Sequence, residues 1–220
     1  MEIAASVAAL RERIDVAVAA AGRPPGSVTV LAVTKVQSRD AVLAAIAAGI
    51  TDIGENYLQE ARGKYVDLPP VCTHFIGHVQ TNKAKAIVSL FDLVQSVDRL
   101  DAGLALAQAS QTLGKPLRVL VQVNISPQDR FGVSPAEAPA LAERLRGAGL
   151  SVEGVMAIGP LEGDVASAFA LARTTFERVG GTTLSLGMSH DYVQAIAAGS
   201  TMIRIGTGIF GARPKKEVQV

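Results

Sequence analysis

The chain has no tryptophan, and aromatic residues make up only 4% of its 220 positions. Its core must therefore be built from Ala, Val, Leu and Ile, which an apolar share of 49% supplies amply. There is one cysteine, Cys72. That excludes an internal disulfide framework and fits a reducing compartment. Charge of either sign is not in excess. A net charge of +1 gives no electrostatic reason to expect nucleic acid or an acidic membrane as a partner. A long uninterrupted apolar run is also missing. Residues 3–21 are rich in Ala and Val, but Arg11, Glu12, Arg13 and Asp15 interrupt them. They form neither a membrane span nor the apolar segment of a signal peptide. A soluble cytoplasmic protein is expected. No linker or low-complexity stretch divides the chain, so residues 1–220 are expected to form a single domain.

What is present is an alternation. Short apolar runs lie at 28–34, 50–54, 73–78, 91–97, 117–124, 151–158, 183–188 and 200–206. Between them lie Ala-rich stretches of helical period at about 39–48, 57–66, 82–90, 99–113, 135–148, 164–179 and 190–198. Strand–helix alternation predicts parallel β/α units. Near-continuous apolar strands suit a sheet covered on both faces. Eight strands with seven interleaved helices leave one helix missing. The N-terminal helix, about 3–21, can fill that place. The expected fold is an α/β single (β/α)8 (TIM) barrel, with an open doubly wound sheet as the competing architecture. The tail after Phe210 is polar and expected to fray.

In a (β/α)8 barrel the site lies at the C-terminal ends of the strands. Strand 1 exits into Lys35. An amine held in a dry pocket there has a lowered pKa and can form a Schiff base with a carbonyl. The alternative is a lysine that simply turns to solvent. The exits of strands 7 and 8 suit an anion. Ser189 reads as the N-cap of the next helix, and Gly206-Thr207-Gly208 admits close backbone approach and adds a hydroxyl. Both can also be ordinary turns. Arg204 lies inside apolar strand 8, so it pairs with a core carboxylate or donates to a ligand. An arginine or an aspartate commonly faces the pyridine nitrogen of pyridoxal phosphate. Arginine only donates and stays charged, so it leaves that nitrogen unprotonated and the ring a weaker electron sink. Two patterns are set aside. Cys72, His74 and His78 fall on a strand and turn with no second ligand cluster, so no metal site is expected. Gly206-x-Gly208-x-x-Gly211 has no following helix of useful length and no later strand carrying an acid, so it is not a dinucleotide fingerprint.

Several stretches together carry a resemblance. They are Leu31-Ala32-Val33-Thr34-Lys35, Gly54-Glu55-Asn56-Tyr57, His74-Phe75-Ile76-Gly77-His78-Val79-Gln80, Gln122-Val123-Asn124, Gly187-Met188-Ser189-His190-Asp191 and Ser200-Thr201-Met202-Ile203-Arg204-Ile205-Gly206. The chain resembles the pyridoxal phosphate homeostasis proteins (the YggS-like, or proline-synthetase co-transcribed, family). Their barrel is similar to the N-terminal domain of bacterial alanine racemase. The resemblance implies that Lys35 forms an internal aldimine with pyridoxal 5′-phosphate and that Arg204 faces its pyridine nitrogen. It further implies that Ser189, Gly206 and Thr207 bind the phosphate, and that Asn56 contacts the cofactor or its nearby hydrogen bonds. His78 lies in a family motif without an assigned role. The chain departs from the family pattern at Thr34 (serine expected), Thr73 (tryptophan), Leu186 (methionine) and Arg130 (lysine).

The racemase has a second, all-β domain that supplies a catalytic tyrosine from its partner subunit, and this chain ends soon after strand 8. Racemisation needs an acid/base group on each face of the carbanion, and neither Tyr57 nor Tyr192 is an evident second base. The resemblance therefore implies a monomeric carrier of the cofactor, serving its homeostasis and amino- and keto-acid balance. Apo-enzymes that use the cofactor are the expected protein partners. The alternatives are a low-activity racemase and, more remotely, a Schiff-base aldolase using Lys35 without a cofactor.

Overall fold

The computed structural model describes residues 2–126 and 131–211. Eight parallel strands form a closed barrel in chain order. They are β1 (Thr29–Val33), β2 (Asp52–Glu55), β3 (Cys72–Phe75), β4 (Leu93–Val97), β5 (Arg118–Val123), β6 (Ser151–Ala157), β7 (Thr183–Ser185) and β8 (Met202–Ile205). Closure is direct, because β1 pairs with both β2 and β8, with Leu31 opposite Asp52 on one side and Arg204 on the other.

The outer helices are α1 (Ile3–Ala20), α2 (Arg39–Ala47), α3 (Leu58–Lys64), α4 (Ala84–Leu90), α5 (Leu100–Leu113), α6 (Ala138–Gly147), α7 (Val165–Val179), α8 (Tyr192–Ala197) and the single turn α9 (Thr207–Phe210). Helix α1 packs against α2 and α8, so the N-terminal helix does occupy the eighth place. It presents Val7, Leu10, Ile14 and Val18 to the core. The sequence pattern missed α9, a turn too short to show a period. Strand β7 is shorter than expected. Gly187 follows it at φ +91°, where a Cβ would lie 2.6 Å from that of Ala195.

The main core lies between sheet and helices and contains Ala32, Ile53, Val119, Val121, Ile203 and Ile205. A separate apolar group, Leu93, Leu120 and Met156, belongs to three successive strands and fills part of the barrel interior. Polar side chains share the interior with them. Gln95 on β4 bonds Ser185 on β7, which is possible only across the barrel. The expectations for residues 127–130 and 212–220, including Arg130 and the polar tail, lie outside the described residues.

Candidate functional site

A cavity of about 350 Å³ opens at the C-terminal ends of the strands. Lys35, Asn56, Ser189, Arg204, Gly206 and Thr207, the six residues expected to contact the cofactor, all line it. Val33, Ile76, Met156 and Ile158 supply its apolar walls. This is the mixture of apolar walls and few convergent polar groups that small-molecule sites use.

Lys35 is half-buried and lines this cavity. The segment around it is held from behind by a buried cation, Lys64. Its Nζ donates to Thr34 O at 2.7 Å, to Glu55 Oε2 at 2.6 Å and to Glu60 Oε2 at 2.8 Å. Glu60 Oε2 also accepts from Val36 N at 2.8 Å, and Val36 sits at φ +58°. Left-handed backbone is a true outlier for a β-branched residue. Both neighbours of Lys35 are thus pinned to one ion cluster. Thr34, the departure from serine, keeps its hydroxyl in use. It bonds Gly54 O, Glu55 Oε2 and the Tyr65 hydroxyl at 3.1, 3.2 and 2.8 Å. Burial raises the Tyr65 phenol well above its ordinary range, against the pull of that bond. The sequence reading overlooked Lys64. Its spacing from Glu60, i to i+4 on a helix, was the available signal.

Asn56 is positioned by close backbone packing. A Cβ on Gly77 would fall 2.0 Å from Asn56 O, so only glycine lets the two strand exits touch. Asn56 Oδ1 is buried and has no hydrogen-bond partner among the described residues.

Arg204 is buried, and it does not pair with a core carboxylate. Nη1 donates to Ser185 O at 2.8 Å and to Ser185 Oγ at 2.9 Å, and Nη2 donates to Ala157 O at 2.8 Å. These three bonds leave about two of the five N–H donors of a guanidinium. Burial pushes its pKa down to about 10, opposed by the charge of Asp191, so it stays protonated at neutral pH.

One expectation fails. Ser189 is not a helix N-cap. Residues 189–191 form a turn, α8 starts at Tyr192, and Asp191 holds the cap position. Asp191 Oδ1 accepts from Met188 N at 2.6 Å, and Ser189 lines the cavity wall. His190, which the sequence reading passed over as a site residue, also lines the cavity.

The two histidines set aside together part company. His78 leaves the strand, stacks on Phe131 with centroids 4.2 Å apart and lies 3.3 Å from Arg99 Nη1. His74 points into the barrel. There its ring, Asp52 and Cys72 place their ligand-type atoms within 4.8 Å of one another, a grouping the sequence did not reveal because Asp52 comes from another strand. Those atoms are engaged in hydrogen bonds. His74 Nε2 bonds Asp52 Oδ1 at 2.9 Å, and Arg118 Nη2 donates to Cys72 Sγ at 2.9 Å. Burial raises the Cys72 thiol to about 11, so the thiolate that would bind a metal is scarce at neutral pH.

Residues 5–214 match the family model described as alanine racemase, N-terminal domain. A pyridoxal phosphate homeostasis protein of Pseudomonas aeruginosa is 43% identical, with 96% of each chain aligned. The protein of that name in Escherichia coli K12 is 39% identical over 96% of this chain and 97% of its own. Among solved structures, PipY of Synechococcus elongatus, determined with pyridoxal phosphate bound, superposes with a TM-score of 0.80 at 34% identity. The match covers 95% of this chain and all of that one. An alanine racemase of Clostridium difficile shares the fold at TM-score 0.69 and 12% identity, and this chain spans 57% of it. The fold is that of the alanine racemase N-terminal barrel, and the chain belongs to the pyridoxal phosphate homeostasis proteins.

Proposed function

We propose that this chain binds pyridoxal 5′-phosphate in the strand-end cavity, holds it covalently through Lys35, and serves the balance of that cofactor rather than turnover of a substrate. The observation that carries the reading is Arg204. It is a buried guanidinium with no carboxylate partner among the described residues, and it keeps donors to spare on the wall that Lys35 also lines. The orphaned Asn56 Oδ1 on the same wall fits a ligand that brings its own polar groups.

Each residue then has a task. Lys35 supplies the amine. Arg204 donates to the ring nitrogen and leaves it unprotonated. Ser189, Gly206 and Thr207 receive the phosphate, with the glycine letting backbone approach and the two hydroxyls donating. Asn56 contacts the ring or the bonds beside it, and Ile76 and Met156 exclude water from its faces. When bound, the cofactor supplies an aldehyde for the lysine and an electron-withdrawing ring. An arginine at the nitrogen weakens that withdrawal, which favours holding the cofactor over carbanion chemistry.

Homeostasis in this sense means release to apo-enzymes, and among the described residues no tyrosine lines the cavity to act as a second base. One observation favours a second reading, a slow amino-acid racemase. His190 lies on the cavity wall and offers a second titratable group besides Lys35.

Reconstitution decides the cofactor reading. Purified chain mixed with pyridoxal phosphate is expected to turn yellow, with a near-visible band that Lys35→Ala abolishes. A chain that stays colourless refutes the reading. Transfer of cofactor to an apo-enzyme supports the carrier. Exchange of alanine's α-proton at about 1 per second or faster, lost in His190→Ala, would establish the racemase instead.

A further inference from the structure

Arg204 is one end of a line of polar side chains that crosses the barrel interior. Its Nη1 donates to Ser185 Oγ at 2.9 Å, and Ser185 Oγ donates to Gln95 Oε1 at 2.8 Å. Gln95 Nε2 donates to His74 Nδ1 at 2.9 Å, and His74 Nε2 donates to Asp52 Oδ1 at 2.9 Å. The five residues come from β8, β7, β4, β3 and β2. Asp52 opens β2, at the far end of the barrel from the cavity. Ser185, Gln95 and His74 are 1% exposed or less.

The bond directions are set at the two ends, where a guanidinium donates and a carboxylate accepts. A guanidinium can only donate. Ser185 Oγ accepts from it and gives its one hydroxyl proton to Gln95 Oε1. Gln95 must then turn its oxygen to Ser185 and its amide nitrogen to His74. His74 accepts at Nδ1, carries its proton on Nε2 and donates to the carboxylate. With a neutral imidazole at His74 this order uses every group, and the reverse amide would require a doubly protonated ring.

The same interior accepts apolar filling at Leu93, Leu120 and Met156. A buried polar line is costly wherever a member goes unsatisfied, so it is well suited to specifying one geometry and poorly suited to adding stability. We infer that Ser185, Gln95 and His74 are positioning residues for Arg204. They fix the Nη1 edge of the guanidinium away from the cavity, so that its remaining donors meet an aromatic nitrogen acceptor. The inference rests on the reading that Arg204 faces the cofactor's ring nitrogen.

The test uses the full chain and two ligands, pyridoxal phosphate and its 1-deaza analogue. The analogue keeps aldehyde and phosphate but carries C–H in place of the ring nitrogen. Dissociation constants are read from near-visible absorbance. Wild type is expected to bind pyridoxal phosphate more tightly than the analogue. Ser185→Ala is expected to lose about tenfold for pyridoxal phosphate, the weight of one bond to a charged group, and under about twofold for the analogue. Ser185→Thr is expected to restore the difference. Equal losses for both ligands, or no loss, would overturn the positioning role. Equal binding of the two by wild type would overturn it as well, while leaving cofactor binding intact. Failure of wild type to bind either ligand refutes the cofactor reading itself, and the inference falls with it. A measurement on wild type alone guards against a variant that does not fold. Nitrogen chemical shifts of the His74 ring are expected to report a bare Nδ1 and a protonated Nε2. The opposite tautomer or a doubly protonated ring would break the line.

Discussion

Lys64 and Val36 decide how Lys35 is held. Lys64 is a buried cation that answers two carboxylates and one carbonyl, with only 9% of its side chain exposed. Removing it leaves Glu55 buried with its charge uncompensated. Breaking such a pair from one side costs about 3–5 kcal/mol. Lys64→Met is therefore expected to cut the free energy of urea unfolding by that amount and, by releasing Thr34 O, to lower cofactor loading. A loss under about 1 kcal/mol would mean the cluster behaves like a surface pair. Val36 carries the opposite sign. The residue is 43% exposed, so little burial is lost on substitution, while its left-handed backbone is strained. Asparagine tolerates that conformation. Val36→Asn is expected to raise stability by about 1 kcal/mol. An unchanged urea midpoint would show that the strain is already relaxed. The sequence could name Lys35, because a lysine closing an apolar run stands out. The i,i+4 pairing of Glu60 with Lys64 was visible there too, but a charge pair of that kind on a helix usually faces water, so it did not stand out.

The lower end of β3 shows how far a single element was legible. Its existence and its neighbours followed from an apolar run bounded by Pro69-Pro70 and Gly77. Its role as an anchor did not, since that depends on carboxylates brought in by β2 and by the approach to β4. Thr73, where the family pattern has tryptophan, donates from its hydroxyl and its amide to Asp92 Oδ2 at 2.8 and 2.9 Å. On the other side, Asp52 takes His74 at Oδ1 and the Thr51 hydroxyl at Oδ2. Burial pushes both carboxyls up, but the bonds they accept outweigh it, and both titrate below the usual carboxylate range. A carboxyl whose folded pKa lies below its unfolded value stabilises the fold above the unfolded pKa, near 4. That stability is lost as pH falls through the folded pKa. Urea unfolding is therefore expected to show a plateau from about pH 5 upward and a fall below about pH 4. Thr73→Val, which deletes the hydroxyl donor to Asp92, should shrink the drop between neutral and acid conditions. An identical drop in the variant would place the acid sensitivity elsewhere.

At the scale of the whole molecule, the count of eight apolar runs was enough to close the barrel and to seat α1 in the empty helix position. That much is pattern, repeated along the chain. What crosses the barrel was not legible, because Ser185 and Gln95 are 90 positions apart and meet only after closure. The same closure makes the cavity a reporter of the whole fold, since its walls come from both ends of the chain, from Val33 to Gly211. A ligand that binds only this assembled state stabilises it by mass action. At a hundredfold excess over its dissociation constant the gain is about 2.7 kcal/mol, which raises the melting temperature of a domain of this size by about 5–10 °C. Leu10 of α1, 2% exposed, acts on closure without touching the cavity. Leu10→Ala should cost about 2–5 kcal/mol through lost burial and the cavity left behind. Because the two sites share no partner, their effects should add. Differential scanning calorimetry is expected to find Leu10→Ala melting lower than wild type, with the increment from pyridoxal phosphate preserved, whereas Lys35→Ala should melt near wild type and lose most of that increment. If Leu10→Ala abolished the cofactor increment, α1 would be coupled to the site, and the barrel could not be treated as a rigid frame around it.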